Sequence, residues 1–403
     1  MTADAPAPGA LLRALLTLGV TQIAAWGSLF YTMALVGPRI LHDTGWSEAL
    51  VFGGFSVAMI ASGAAAPWAG RLIDRHGGRP VMTAASLIGA AGLGFLALAQ
   101  GPLPYLAAWA VIGVAMAGAL YDPAFATLAQ IAGPQTRRAI SMLTLAGGFA
   151  STVSWPLTLW LLRDLDWRQV ILVHAAGQAL LCAPLHAFGL PKAAPARPAK
   201  LAGEAAPRAS LLRGMDWTAF ALFALVISAH GLVTSGLSVH LVRLLDQLGL
   251  TEAQGVLAGV FIGPAQVGAR LLELLFGARL SALALGVFST AILPFAFALL
   301  AFAAPSTAVA IAFGLVYGAS NGLITIARGV VPFALFRRDR YGEILGLLAA
   351  PALATKSAAP VVFALVLSAG GPSAAVAFCA ALGVLAASAM LLLALLRGTA
   401  QRA

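Results

Sequence analysis

Residues 70–80 read GRLIDRHGGRP. Arg71, Asp74, Arg75, His76 and Arg79 crowd this short stretch, yet long apolar runs lie on both sides of it. Composition explains the contrast. The 403-residue chain is 61% hydrophobic and 9% charged, and its mean hydropathy is +0.93. Soluble domains carry about 25% charged residues. A chain this poor in charge cannot cover itself with a polar surface, so the lipid bilayer is its main partner and solvent.

The countable unit is then the apolar span of roughly 20 residues that crosses a bilayer. Twelve spans are expected, at about 11–36, 47–69, 80–99, 103–130, 138–162, 169–189, 216–242, 252–276, 280–302, 306–334, 342–369 and 372–397. The runs are too long for barrel strands, and lipid offers no partner for an open backbone, so an all-α membrane protein is expected. The break between the sixth and seventh spans contains PKAAPARPAKLAGEAAPRAS, rich in Pro, Ala and basic residues. It reads as a flexible linker over 190–214 between a six-helix bundle, 1–189, and a second one, 215–403.

The net charge of +10 would suggest nucleic acid in a soluble chain. Here the basic residues sort by side of the membrane. Seventeen of the 24 Lys and Arg fall on one side, four (Arg39, Arg163, Arg168, Arg243) on the other, and Arg270, Arg328 and Lys356 lie inside spans. The positive-inside rule accounts for this without nucleic acid and puts both termini and the linker in the cytoplasm, in a cell (inner) membrane. The first residues, MTADAPAPGA, carry no positive leader region, so no cleaved signal peptide is expected. Cys182 and Cys379 lie in apolar runs and make neither a disulfide framework nor a soft-metal cluster. There is no Gly-x4-Gly-Lys-Ser/Thr loop for a nucleotide. No cofactor, no metal and no enzyme chemistry are expected.

The halves repeat weakly. PWAGRLIDRHGGR lies over PAQVGARLLELLFGAR, which sets Arg71 on Arg270 and Asp74 on Glu273; a second alignment sets Pro156 on Pro360 and Thr152 on Lys356. With the six-plus-six layout, the opening stretch resembles the loop signature of the major facilitator superfamily, Gly-x-x-x-Asp-Arg-x-Gly-Arg-Arg. Gly70, Asp74, Arg75, Gly77 and Arg79 carry it, and Gly78 interrupts one basic position. The resemblance covers essentially the whole chain. It implies a twelve-helix fold in two pseudo-repeats and transport by alternating access, in which the loop is gate machinery. The glycines would permit a tight turn and close helix approach. Asp74 would accept hydrogen bonds at a helix N-terminus of the other half, and Arg71, Arg75 and Arg79 would pair with acids.

The resemblance also implies that the first and fourth spans of each half line a cavity, with the second and fifth contributing. An ionisable residue at such depth is a functional candidate. Lys356, near mid-span in LAAPALATKSAAPVV, would attract an anion such as a carboxylate. Arg328 and Asn321 share a helix face with Thr325 and either touch cargo or belong to the gate. His230, in VISAHGLVTSG, suits cargo contact or proton coupling. Asp122, in LYDPAF, is either a proton carrier or a gate acid, and Pro123 after it implies a weakened backbone. Gln22 and Trp26, one turn apart, suit a cavity wall. Arg270 reads as structural because it aligns with Arg71.

Within the superfamily, drug–proton antiporters carry an arginine four residues before a glycine in the fourth span, where Trp109 precedes Gly113 here; their Gly-Pro pair in the fifth span is also missing. DLDWRQV, with Trp167 and Arg168, resembles the Gly-Trp-Arg element of the monocarboxylate and oxalate/formate branch, with Asp166 in place of glycine. The span-8 arginine of the oxalate exchangers has no counterpart near Ala265 and Gln266. The expectation is a monomeric, proton-linked carrier of a small organic anion. The alternative is efflux of a toxic or drug-like compound, centred on Asp122.

Overall fold

The computed structural model describes residues 8–192 and 215–400. Most of the expected linker, with Arg197, Lys200, Arg208 and Arg213, lies outside the described residues, as does Arg402. Ten helical stretches among the described residues are long and apolar enough to cross a bilayer. They are Gly9–Thr44, Glu48–His76, Gly78–Leu98, Pro102–Leu161, Trp167–Gly189, Trp217–Gln247, Ala253–Phe276, Ala282–Phe302, Thr307–Leu335 and Arg338–Arg397. Two of these are 60 residues long, about twice what a crossing with some tilt requires. The first is interrupted by a 3-10 turn at Gly133–Gln135. The second turns at Gly371, where φ is 72°, a left-handed conformation that only glycine adopts cheaply. Dividing each at its turn gives the expected twelve spans, numbered here in chain order.

The helix starts follow from their capping residues. Ser47, Asp166, Thr251, Ser281 and Ser306 each accept a hydrogen bond from a backbone N–H of the first turn. At Asp166 and Thr251 the glutamine three residues on returns the bond to the cap backbone, closing a capping box. Spans 2 and 3 are separated by Gly77 alone, at φ 81°.

The chain forms two compact units. One comprises the described residues of Met1–Lys200 together with Arg337–Ala350; the other comprises those of Leu201–Phe336 and Pro351–Ala403. The first turns of span 11 thus pack with the first unit and not with the half to which their sequence position assigns them. Small residues make this possible. A Cβ on Gly342 would stand 2.7 Å from the Gly70 carbonyl oxygen, and one on Gly346 would collide with the backbone of Ala66.

Inside each unit one close helix pair is built the same way. In the first unit Gly113 of span 4 meets the carbonyl of Ala58 in span 2. In the second, Gly314 of span 10 meets the carbonyl of Ala258 in span 8, about 200 residues further on. Gly318 and Gly322 continue that stripe against Ile262 and Gln266, where added Cβ atoms would lie 2.5 and 2.6 Å from carbonyl oxygens. Small residues every fourth position let backbones approach where lipid supplies no hydrophobic drive between helices. The repeat legible in the sequence is therefore also a repeat of contacts.

Gly314→Val should lose most of its folded, monodisperse protein in detergent, because the obstacle is backbone and overpacking of this kind costs about 1–3 kcal/mol or more. Gly268→Ala, in span 8 with open space around it, should be neutral or stabilising by up to about 1 kcal/mol. Size-exclusion yield and thermal unfolding of the two variants check this.

Candidate functional site

The signature loop is built around a carboxylate. Asp74 ends span 2, and its two oxygens accept the backbone N–H groups of Gly342 (2.9 Å) and Glu343 (2.8 Å). These N–H groups belong to the first turn of the helix that starts at Tyr341, where no backbone carbonyl is available and the helix dipole favours an anion. Gly70, one turn earlier, faces Gly342 so closely that any side chain would collide with it. Arg71 stands 3.6 Å from the buried Glu343, which Arg340 approaches to 3.1 Å, and its guanidinium lies over the Trp68 ring. Gly77 supplies the turn. Gly78 then runs against Thr127 of span 4, where a Cβ would collide with the hydroxyl. Gln130 closes the corner by donating to the Ile73 carbonyl at 2.8 Å. Arg75 is exposed and Arg79 half-buried, and neither side chain has an ion pair among the described residues.

Two of the expected cavity residues in the first unit are occupied with the protein itself. Gln22 is fully buried. Its Nε2 donates to the Ala119 carbonyl at 2.7 Å, and its Oε1 accepts the Trp26 indole N–H at 3.2 Å. The orientation is forced, since the indole only donates and the carbonyl only accepts. Both ends of the Gln22 amide are thus engaged within the unit. Trp26 keeps a half-buried ring, packed on Phe30, Tyr31 and Tyr121 at centroid distances of 4.9 to 5.9 Å. It opens a π-helical turn, Trp26–Tyr31. Asp122 is half-buried in the first turn of Tyr121–Ala132, directly after a break at Leu120.

Sequence reading missed three buried side chains of the same unit. His186 is fully buried between Ser86 (3.0 Å) and Thr21 (2.9 Å), and His174 contacts Thr158 at 3.2 Å. Gln178 donates to Ser28 at 2.7 Å. Their partners lie on other spans, and no local pattern announces them. A polar residue inside an apolar run was the only available signal.

In the second unit Lys356 is half-buried in span 11, and its stem lies on Gly231 of span 7. A Cβ on Gly231 would come within 3.1 Å of the Lys356 Cε. Its own carbonyl accepts the Ser235 hydroxyl at 2.8 Å. That bond replaces one the helix cannot make, because the residue four places on is Pro360, which has no N–H. His230, one residue before Gly231, is buried and reaches Ser320 at 3.4 Å. The Ser320 hydroxyl already donates to the Ser289 carbonyl, so it accepts from a protonated Nε2. Asn321 and Arg328 are half-buried on span 10; the Asn321 side chain makes no hydrogen bond among the described residues. Arg270 is buried in span 8 and donates to the Gly322 carbonyl, Gln266 and Thr325. It therefore serves the span 8–span 10 seam.

A family model described as Major Facilitator Superfamily matches residues 18–285. The chain belongs to the major facilitator superfamily. It is accordingly a multi-pass membrane transporter of that superfamily. An uncharacterized 38 kDa protein of Thermoproteus tenax is 29% identical over 273 residues, which are 63% of this chain and 70% of that protein. The multidrug resistance protein MdtH of Aeromonas salmonicida is 29% identical over 205 residues, 50% of this chain and 49% of MdtH, so that match spans about half of the relative. Among solved structures, the human organic anion transporter MFSD10 superposes with a TM-score of 0.74 at 18% identity, covering 95% of this chain and all of MFSD10. The proton:xylose symporter XylE gives 0.73 at 15% identity, covering 94% of each chain. These likenesses fix the superfamily and its fold, and they do not single out a monocarboxylate branch.

Three residues used above to place the chain within the superfamily have local structural tasks. Trp109 is buried among Tyr105 and Phe55. Trp167 donates to Asp43, while Arg168 stacks on Trp167 and donates to the Ala97 and Ala99 carbonyls.

Asp74→Asn should destabilise the folded protein by about 1.5–3 kcal/mol, the value of a hydrogen bond to a charged group, because its amide sets N–H against N–H. Arg75→Gln, exposed and without an ion pair, should stay within about 0.5 kcal/mol of the parent. Thermal unfolding in detergent compares them.

Proposed function

We propose that this superfamily member is a proton-linked secondary transporter of a small organic anion, such as a monocarboxylate, working by alternating access. The observation that carries the reading is Lys356. A lysine near the middle of a span costs a few kcal/mol to insert. Here the neighbouring span accommodates it with a glycine under its stem and a serine on its carbonyl. Away from the ends of the spans of the second unit, the charged residues are Arg270, Arg328 and Lys356 with Glu273, and such an excess of positive charge favours an anionic cargo. Arg328 and Asn321 are proposed as further cargo contacts, Asp122 and His230 as the proton-coupling groups, and Asp74 with Arg71, Arg75 and Arg79 as a gate latch. Both termini are assigned to the cytoplasm of a cell membrane by the asymmetry of basic residues, and a monomer suffices.

The second reading is efflux of a drug-like compound. It is favoured by the likeness to MdtH and by the aromatic rings of Trp26, Phe30, Tyr31 and Tyr121 next to Asp122.

A thermal-shift screen of the purified protein separates the two, since a ligand raises apparent stability by mass action. The panel holds small carboxylates, inorganic oxyanions, sugars and hydrophobic cations. A carboxylate should stabilise the parent and leave Lys356→Ala unmoved. Equal stabilisation of both proteins by hydrophobic cations sinks the anion reading.

A further inference from the structure

The fourth span is not one helix. Pro102–Ala119 ends, Leu120 turns out to φ −86°, ψ −155°, and Tyr121–Ala132 begins anew. At such a break a carbonyl of the first segment needs a partner, and lipid has none to give. Were the helix continuous, the Ala119 carbonyl would receive the N–H of residue 123, but residue 123 is proline. The Gln22 amide stands in that place. Nε2 lies 2.7 Å from the Ala119 oxygen and 3.4 Å from that of Leu120. Its other end is fixed by the Trp26 indole, and the Trp26 ring lies 5.1 Å from that of Tyr121, the first residue past the break. Beyond it the new helix is properly started, with Ala124 donating to the Leu120 carbonyl. Asp122 therefore occupies the first turn of a separate half-helix, at the end where the helix dipole favours a carboxylate.

We propose that Gln22 is a positioning residue for Asp122: its amide replaces the backbone donor that Pro123 lacks and so holds span 4 open at Leu120. What the open span serves rests on the reading of Asp122 as a proton carrier. The pin itself does not rest on that reading.

The test uses the full chain in detergent and two readouts. One is the unfolding midpoint. The other is the rate at which N,N′-dicyclohexylcarbodiimide adds to Asp122, read by peptide mass spectrometry against Glu273 of the other unit as internal reference. Gln22→Leu should lower the midpoint by about 3–5 °C and change the Asp122/Glu273 labelling ratio at least threefold. Adding Pro123→Ala, which restores a backbone N–H, should recover the midpoint and leave the labelling ratio altered, because a healed helix carries Asp122 elsewhere. Should Gln22→Leu not fold, Gln22→Glu with and without Pro123→Ala makes the same comparison. A double variant no more stable than the single one overturns the replacement of the donor. An unchanged ratio in the single variant overturns the positioning. Neither readout involves cargo, so a failed anion reading would not be mistaken for either.

Discussion

Every backbone carbonyl within the spans needs a donor, and lipid supplies none. In lipid an orphaned polar group costs several kcal/mol, whereas a satisfied hydrogen bond returns only about 0.5–1.5 kcal/mol net. That asymmetry decides where the polar side chains of the spans go. Tyr105 donates to the Val51 carbonyl, Arg270 to that of Gly322 and Ser320 to that of Ser289. Two prolines sharpen the constraint. Pro123 leaves the Ala119 carbonyl to Gln22, and Pro360 leaves the Lys356 carbonyl to Ser235. Each lies within one turn of a charged residue, Asp122 and Lys356. Pro332 stands in the same relation to Arg328, four residues before it, so charge at depth repeatedly sits beside a weakened backbone.

Close packing is the other half of the arrangement. Gly113 on Ala58 and Gly314 on Ala258 are one contact made twice, and they bring span 4 onto span 2 and span 10 onto span 8. The signature loop uses the same device at the membrane edge. Gly70 and Gly342 remove the side chains, and Asp74 then reaches two N–H groups that nothing else satisfies. The two acceptor bonds are what make an aspartate, and not merely any acid, fit this corner, since the shorter side chain meets the helix end directly.

The spans, the loop and the repeat were legible in the sequence because each is a property of composition along the chain. Apolar length reports a crossing, and a charged glycine-rich interruption reports a turn. Partnerships across the chain were not legible. Gln22 lies 97 residues from Ala119 in sequence, so its polarity drew notice but the carbonyl it serves could not be read. The same gap hid His186 between Ser86 and Thr21, and it hid the packing of Arg337–Ala350 with the first unit. Pro123 did announce a weakened helix, though not what repairs it. Lys356 was found by position alone, whereas the glycine and serine that support it belong to another span. Trp109 and Arg168 show a further limit: residues compared with family patterns as functional marks turn out to be committed to local packing and to backbone carbonyls.

With most polar groups committed to the backbone, the charges held at depth are the features left to choose a cargo, and in the second unit they are mainly positive. Purified protein in liposomes, with a pH gradient imposed across the membrane, tests this most directly. Uptake of radiolabelled small carboxylates is followed beside that of tetraphenylphosphonium, for the parent and for Lys356→Gln. The account predicts saturable, gradient-driven movement of a carboxylate that the variant loses, with the cation unmoved. Gradient-driven movement of tetraphenylphosphonium by both proteins, with no carboxylate flux in either, would contradict it.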